Sequence, residues 1–318
     1  MSSRQVVAAA IFVLAFGLAG PAPGQVALVP RPKAKPEAAA APKSNLRVDL
    51  NLVLVPVTVC DAMNRPVTGL EKEHFRVFDD NVEQTVTAFA QEDAPVAVGL
   101  VFDTSGSMGT KLRLSRQAAA AFFQTANPED EFFLVEFSDR PKLVVPTTRN
   151  PQEIQNQLTF SQSKGRTALL DAVILAMHEL KKSPISRKAL LIISDGGDNC
   201  SRYTESELKN MVREGDVIIY AIGIYGNAAT PEEVAGPELL TEVAEQSGGR
   251  QLPAQGPDIP DIAAKIGVEL RNRYVLGYSP SARHRDGRYH PVQVKIVPPR
   301  GLPTLRAFWR RGYYAPSE

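Results

Sequence analysis

The sequence predicts an α/β protein in which a doubly wound, mostly parallel sheet is inserted into a smaller antiparallel, β-sandwich-like domain built from both flanks. Two observations predict the sheet. Apolar strands alternate with helices from Val96 to Leu270, and the first strand, Val96–Phe102, is apolar throughout, as in a strand covered on both faces. A third observation predicts the second domain, because each flank alternates like a set of strands but has too few strands to be stable alone.

Length and composition limit the class of protein. At roughly 150 residues per domain, 318 residues give about two domains. The hydrophobic share of 43% and the charged share of 22% are those of a globular chain and exclude a wholly disordered one. With 36 basic and 35 acidic residues, there is no electrostatic reason to expect nucleic acid or an anionic membrane as the partner. Two cysteines cannot form a disulfide framework, and no Cys/His cluster indicates zinc.

The first 44 residues are predicted to lie outside the fold. Residues 1–24 have a basic Arg4, an apolar run over 6–18 and small residues before a cleavage site, which is typical of a secretory signal peptide. The apolar run is shorter than the roughly 20 residues that a membrane-spanning helix needs. Residues 25–44 are rich in proline and alanine and predict a linker. We therefore expect an exported protein, periplasmic or extracellular, with no integral membrane span after cleavage.

The two flanks are predicted to be residues 45–94 and 272–318. Both carry short apolar runs with alternating polar residues, separated by turn residues. In the first flank the predicted strands are Leu46–Val59, Phe75–Phe78 and Thr85–Phe89. The second flank is strand-like from Tyr274 to Tyr314, with Val292–Val297 and Leu305–Trp309 as its clearest strands. The residues Asp79–Asn81 predict a hairpin turn between the second and third of these strands, because Asn and Asp tolerate the positive φ that such turns require.

The middle of the chain, residues 95–271, is predicted to form the parallel sheet. Further strands are predicted at Phe132–Phe137, Leu143–Val145, Ala189–Ile193 and Val217–Ile224. Helices are predicted at Leu112–Ala126, Leu169–Leu180, Glu205–Glu214, Pro237–Gln246 and Ile259–Leu270. In such sheets, ligands bind beyond the carboxyl ends of the strands. The loops that follow Phe102 and Ile193 are therefore the expected position of the functional site.

Those loops, and the loop before the helix at Leu169, contain three hydroxyls and two carboxylates. The residues are Asp103, Ser105, Ser107, Thr167 and Asp195. Mg²⁺ prefers oxygen ligands and keeps several waters. We expect the three hydroxyls to bind the ion directly and the two carboxylates to hold its coordinated water. Neutral ligands leave the ion electrophilic and one ligand short, and a carboxylate from another molecule would complete it.

Gly106 and Asp198 are candidates to contact these ligands without binding the ion themselves. For Asp198 a solvated loop position is the alternative. For Asp103 the alternative is that it only caps the following helix, with Ser105 and Ser107 satisfying the helix N–H groups.

The pattern Asp103-x-Ser105-x-Ser107 with Thr167 and Asp195 resembles the metal-ion-dependent adhesion site of von Willebrand factor A domains. Residues 95–271 are similar to that domain in element order and length. The whole chain also resembles exported, acidobacterial-type proteins described as von Willebrand factor A-related, through the segments 75–80, 274–280 and 311–315. The resemblance implies Mg²⁺ or Mn²⁺ as the cofactor. It also implies a non-enzymatic module for adhesion or assembly that binds an Asp or Glu side chain of a partner protein.

Two other functions stay open from the sequence. An exported hydrolase could use the same loops, although a nucleophile elbow would need Gly at Ser105. The segment Gly109–Lys111 lacks the spacing of a phosphate-binding loop, and a phosphoryl-transfer Asp-x-Asp would need a second Asp at Ser105. The other alternative is a purely structural envelope protein. Free thiols at Cys60 and Cys200 are favoured over a bridge, and His74, His178, His284 and His290 are expected in surface or packing positions.

Overall fold

The computed structural model describes residues 52–92, 94–225, 231–254, 258–281, 286–299, 301 and 304–317. The predicted signal peptide and linker, the start of the first predicted strand and His284 lie outside these residues. In the described part of the chain, each helix is either too short or too polar to cross a membrane.

Fourteen strands and six α-helices make up the described fold. The strands are β1 Val53–Cys60, β2 Phe75–Asp79, β3 Val82–Gln84, β4 Val86–Glu92, β5 Val96–Asp103, β6 Glu131–Phe137, β7 Pro141–Thr148, β8 Arg187–Ser194, β9 Val217–Ile224, β10 Gln251–Ala254, β11 Arg273–Tyr278, β12 Tyr289–Ile296, β13 Arg306–Trp309 and β14 Gly312–Tyr314. The helices are α1 Leu112–Phe123, α2 Pro151–Phe160, α3 Leu169–Leu180, α4 Glu205–Glu214, α5 Pro231–Ser247 and α6 Ile259–Arg271. Short 3-10 helices lie at Lys72–His74 and Gly106–Lys111.

The central sheet has six strands in the order β10-β9-β8-β5-β6-β7. All neighbours are parallel except β7, which pairs antiparallel with β6 at one edge. Every residue of β5 is buried, because α1, α2 and α6 pack on one face of the sheet and α3, α4 and α5 on the other. The predicted fold class, a doubly wound sheet with flanking antiparallel strands, is confirmed.

Two antiparallel sheets of four strands each are built from both flanks. Their strand orders are β13-β1-β11-β4 and β14-β12-β2-β3. Strand β1 pairs with β11, and β2 pairs with β12, so neither flank forms a sheet alone. The sheets share one apolar core around Val57, Val77 and Tyr274. The predicted domain boundaries, 45–94, 95–271 and 272–318, stay predictions.

The predicted hairpin between Phe75–Phe78 and Thr85–Phe89 is wrong in its second strand. Asp80 and Asn81 adopt positive φ angles of 48° and 66° and form a two-residue turn. After a two-residue turn, the strands on its two sides pair directly next to the turn. Asp79 therefore lies opposite Val82, and the partner of β2 is β3. Strand β4 then leaves for the other sheet, where it pairs with β11.

Helix boundaries also differ from the predictions. Helix α1 ends at Phe123 rather than Ala126, and α5 begins at Pro231, with Pro237 inside it. A proline is favoured in the first helical turn, and of the two prolines it is Pro231, not Pro237, that begins the helix. Helix α2 and strand β10 were not predicted, although the Asn150 side chain caps α2 by accepting from the N–H of Gln152, with Pro151 at the first position.

A buried polar cluster joins the central sheet to the flanking strands. Arg250 forms a bidentate ion pair with Glu269, and both side chains are almost fully buried. The Cys60 thiol donates to Glu269 at 3.0 Å, and Arg250 donates to the Asn64 side chain at 2.7 Å. Burial raises the pKa of Cys60 above its usual range, so the thiol stays protonated. Cys60 and Cys200 are both free.

Candidate metal centre

The candidate site lies where two neighbouring parallel strands end. Asp103 is the last residue of β5, and Asp195 follows the last residue of β8. The chain leaves β5 toward α1 on one face of the sheet and leaves β8 toward α4 on the other. This divergence opens a crevice between the two strand ends, which is the usual ligand position in doubly wound sheets.

Asp103 is held rigidly in this crevice. One carboxylate oxygen accepts from the Ser105 N–H at 2.8 Å, and the other accepts from the Ser194 hydroxyl at 2.6 Å. Burial raises the pKa of Asp103 to about 6, against the opposing effect of the hydrogen bonds from Ser105 and Ser194, and the Asp195 charge raises it further. Asp103 therefore lies in a poorly solvated space beside a second carboxylate, where a cation would favour its ionised form.

The two serines of the pattern lie side by side. The hydroxyl oxygens of Ser105 and Ser107 are 3.0 Å apart, at the start of the 3-10 turn that leads into α1. Ser105 is fully buried, and Ser107 is half-buried. Two neighbouring hydroxyls of this kind present their oxygens to the same point, as ligands of one ion must.

Thr167 lies in a loop that is bonded to both other loops. The Gly106 N–H donates to the Gly165 carbonyl, and the Lys164 N–H donates to the Thr104 carbonyl, each at 2.9 Å. On the other side, the Thr167 N–H donates to the Asn199 side chain at 2.9 Å. Glycine at position 106 allows the two loops to approach this closely, since a Cβ there would lie 3.2 Å from the Gly165 carbonyl oxygen. The structure brings the three loops together at one end of the sheet.

Asp195 has one satisfied and one unsatisfied oxygen. The Lys111 ammonium donates to its Oδ2 at 2.8 Å, while its Oδ1 is buried without a hydrogen-bond partner. The Asp195 side chain is 3% exposed. A buried carboxylate oxygen without a partner is costly, and a bound cation or its water would remove that cost.

Asp198 bonds to groups outside the proposed ligand set. Its Oδ1 accepts from the Ser201 hydroxyl at 2.6 Å and from the Leu170 N–H at 3.3 Å, in the first turn of α3. These contacts attach the loop after β8 to α3, and they do not involve the two carboxylates in the crevice.

The residues present fit a small divalent cation. The set combines neutral hydroxyl oxygens with two buried carboxylates, one of which has an unpartnered oxygen, and oxygen ligands are those that Mg²⁺ prefers. Ser105, Ser107 and Thr167 would hold the ion, and Asp103 and Asp195 would orient its water. The ion would supply an electrophilic position for a further oxygen ligand.

Sequence reasoning missed two residues at this site. Lys111 is not among the predicted site residues, and its contact with Asp195 spans 84 positions. Ser194 ends a strand and fixes Asp103, and its position directly before Asp195 was the available signal.

A second acidic group lies in the flanking sheets. The ligand atoms of Asp79, Asp80 and His290 lie within 4.8 Å of one another. His290 contacts Asp80 at 2.7 Å and Asp286 at 3.1 Å through its two ring nitrogens. Asp79 accepts from the hydroxyls of two tyrosines. His290 thus pairs with Asp80 and Asp286, whereas Asp79 is bonded to the tyrosines and its Oδ1 is buried without a hydrogen-bond partner. These residues were not among the predicted site residues.

Comparison with known proteins agrees with the fold. Residues 98–197 match the family described as von Willebrand factor type A domain, which confirms the resemblance of this part of the chain to that domain. The chain is 30% identical over 180 residues to inter alpha-trypsin inhibitor, heavy chain 4, of Mus musculus, covering 51% of this chain and 18% of that protein. It is 33% identical over 116 residues to inter-alpha-trypsin inhibitor heavy chain H4 of Bos taurus, covering 33% of this chain and 13% of that protein.

The chain thus spans less than a fifth of the length of these two relatives. Among solved structures, a von Willebrand factor type A protein from Catenulispora acidiphila superposes with a TM-score of 0.49 at 13% identity, covering 84% of this chain and 74% of that one.

Proposed function

We propose that this chain, which contains a von Willebrand factor type A domain, is a non-enzymatic, cation-dependent protein-binding module that acts outside the cytoplasm. A Mg²⁺ or Mn²⁺ ion in the crevice between β5 and β8 would bind an Asp or Glu side chain of a partner. The observation that carries the proposal is the buried, unpartnered Oδ1 of Asp195 beside the Asp103 carboxylate and the paired hydroxyls of Ser105 and Ser107.

The chemistry of the donors supports binding rather than catalysis. Hydroxyl ligands do not neutralise the ion, so it retains affinity for an anionic oxygen. A partner carboxylate can replace one coordinated water and form a charge-assisted contact. Because one such contact carries little selectivity, the surrounding loops must select the partner. These loops are Gly109–Leu112, Lys164–Arg166 and Gly196–Tyr203, and they contain mostly exposed or half-buried residues.

Calorimetric titration with Mg²⁺ and Mn²⁺ tests the site. We expect saturable binding to the wild-type chain and its loss in Ser107→Ala, because this change removes a predicted ligand. Thr110→Ala is the matched control, since it removes an exposed hydroxyl from the same 3-10 turn. Equal binding by wild type and Ser107→Ala, with both chains folded, would show that the assigned ligands are wrong.

Partner binding is tested separately. Proteins retained from an envelope fraction of the source organism should bind the wild-type chain with Mg²⁺, and should not bind it with chelator or bind Ser107→Ala. Binding should also fall when one Asp or Glu of the captured protein is changed to Ala. A partner that binds equally well in chelator would indicate that any ion at the site is structural.

A further inference from the structure

A cavity of about 480 Å³ lies at the other end of the central sheet from the candidate metal centre. Its walls include the first residues of three parallel strands, Val96, Arg187 and Val217. Strand β5 runs from Val96 to Asp103, which places the cavity about 23 Å from the candidate metal centre at ~3.3 Å per residue. The opposite wall is the sheet of β1, β4 and β11, represented by Leu54 and Ala90.

Arg273, the first residue of β11, brings an unpaired charge to this cavity. Its side chain lines the space, and the residue is only 6% exposed. Its Nε is buried without a hydrogen-bond partner. Among the described residues, no carboxylate forms an ion pair with Arg273. Burial lowers the pKa of Arg273 to about 10. A buried charge without a partner is strongly unfavourable, so an anion bound next to Arg273 would stabilise it.

The other cations on the wall are differently placed. Arg187 donates to the backbone carbonyls of Ala94 and Leu270 at 3.1 and 2.6 Å. Arg310 donates to Asp216 at 2.8 Å, and Asp216 is the one acid among the described residues that line the cavity. Lys188, which is half-buried, also lines the cavity. Among the described residues that line the cavity, cations outnumber acids, and Arg273 is the one cation that is buried. An incoming anion would therefore gain most at Arg273.

We propose that this cavity binds a small organic acid, a monocarboxylate with an unbranched hydrocarbon chain. The carboxylate would bind the Arg273 guanidinium, whose planar donors match the two oxygens of a carboxylate. The hydrocarbon chain would lie against Leu54, Val275 and Leu270, which line the same space. The volume is within the roughly 300–1,000 Å³ of small-molecule sites, which are mostly apolar with a few fixed polar groups. This site is separate from the candidate metal centre and does not rest on the proposed function.

Calorimetry with octanoate tests the proposal on the full chain at constant salt. We expect saturable octanoate binding and a rise in the unfolding temperature, because a ligand that binds only the folded state stabilises it. The neutral analogue 1-octanol should bind at least tenfold more weakly, since it cannot pair with Arg273. Sulfate should also bind at least tenfold more weakly, since it has no apolar chain. Wild-type chain that does not bind octanoate at millimolar concentration, or that binds 1-octanol equally well, would overturn the proposal.

Two variants separate a ligand site from a structural arginine. Arg273→Met should lower octanoate affinity at least tenfold, while its unfolding temperature without ligand stays equal or rises, because an unpaired buried charge is removed. Lys188→Met is the matched control on the same wall and should retain binding. Ala90→Phe keeps Arg273 but fills the cavity, and it should abolish binding even if Arg273→Met fails to fold. Undiminished affinity in Arg273→Met or in Ala90→Phe would refute the assigned position.

Discussion

Replacing Lys111 with Met should strengthen Mg²⁺ binding. The Lys111 ammonium donates to Asp195 Oδ2 at 2.8 Å, and the lysine side chain is only 17% exposed. An ion at the proposed site competes with this ammonium for the same carboxylate. Lys111→Met removes the competitor and keeps a side chain of similar length.

The size of the effect follows from the buried contact. A hydrogen bond between charged groups contributes about 1.5–3 kcal/mol, and the low exposure of both side chains places this pair above the 0–1 kcal/mol of surface pairs. At about 1.4 kcal/mol per tenfold change, the Mg²⁺ affinity of Lys111→Met should exceed that of wild type by about 10- to 100-fold.

Calorimetric titration measures this difference directly, and thermal unfolding checks it. In chelator, Lys111→Met should unfold at a lower temperature than wild type, because the Asp195 carboxylate is left buried and unpaired. Added Mg²⁺ should then raise the unfolding temperature more than in wild type. Lys164→Met is the matched control, because it removes an exposed cation from a neighbouring loop. Equal or weaker Mg²⁺ binding by Lys111→Met would refute the competition.

Three further outcomes are expected. Arg250→Met should lower the free energy of unfolding in urea by about 3–5 kcal/mol because Glu269 loses its buried partner, and a loss under 1 kcal/mol would contradict this. Burial opposes protonation of His290, but hydrogen bonds to two aspartates outweigh it and raise its pKa. The stability that His290 contributes should therefore be present below about pH 6.5 and be lost as pH rises through the raised pKa. His290→Gln should flatten that part of a pH series of urea unfolding, and an unchanged slope would count against it. Gly196 has a φ of +83°, and a Cβ there would lie 2.6 Å from the Gly236 carbonyl oxygen. Gly196→Ala should therefore lower the free energy of unfolding by about 1–3 kcal/mol and weaken Mg²⁺ binding. Stability and Mg²⁺ affinity equal to those of wild type would contradict this.

Local patterns predicted most of the central sheet. Helix Glu205–Glu214 and strand Val217–Ile224 have the predicted bounds, since the capping residue Thr204 and the apolar run of the strand act within a few positions. The turn at Asp80 and Asn81 was also predicted from residue type. Its consequence for pairing was not, because the number of turn residues, rather than their identity, fixes where the second strand begins.

The contacts that join distant residues could not be predicted. Lys111 and Asp195 are 84 positions apart, and nothing in the sequence distinguishes Lys111 from a solvated lysine. The same holds for Arg273, whose environment depends on the packing of the flanking sheet against the starts of the parallel strands. That the loops after β5 and β8 lie close together was predictable, because the carboxyl ends of adjacent parallel strands meet at one edge of the sheet.

The attachment of the central sheet to its flanks has a mechanical consequence. The chain enters the sheet from β4 and returns through β11, and these strands are neighbours, with Arg273 opposite Glu92 in their ladder. A force that pulls on the loops of the candidate metal centre along these strands would draw both strands in the same direction, so their shared ladder would not slide. If the chain is held at the start of β1, the tension would pass to the antiparallel ladder between Val53–Val57 and Tyr274–Tyr278. Its hydrogen bonds would then be loaded together in shear rather than opened one after another.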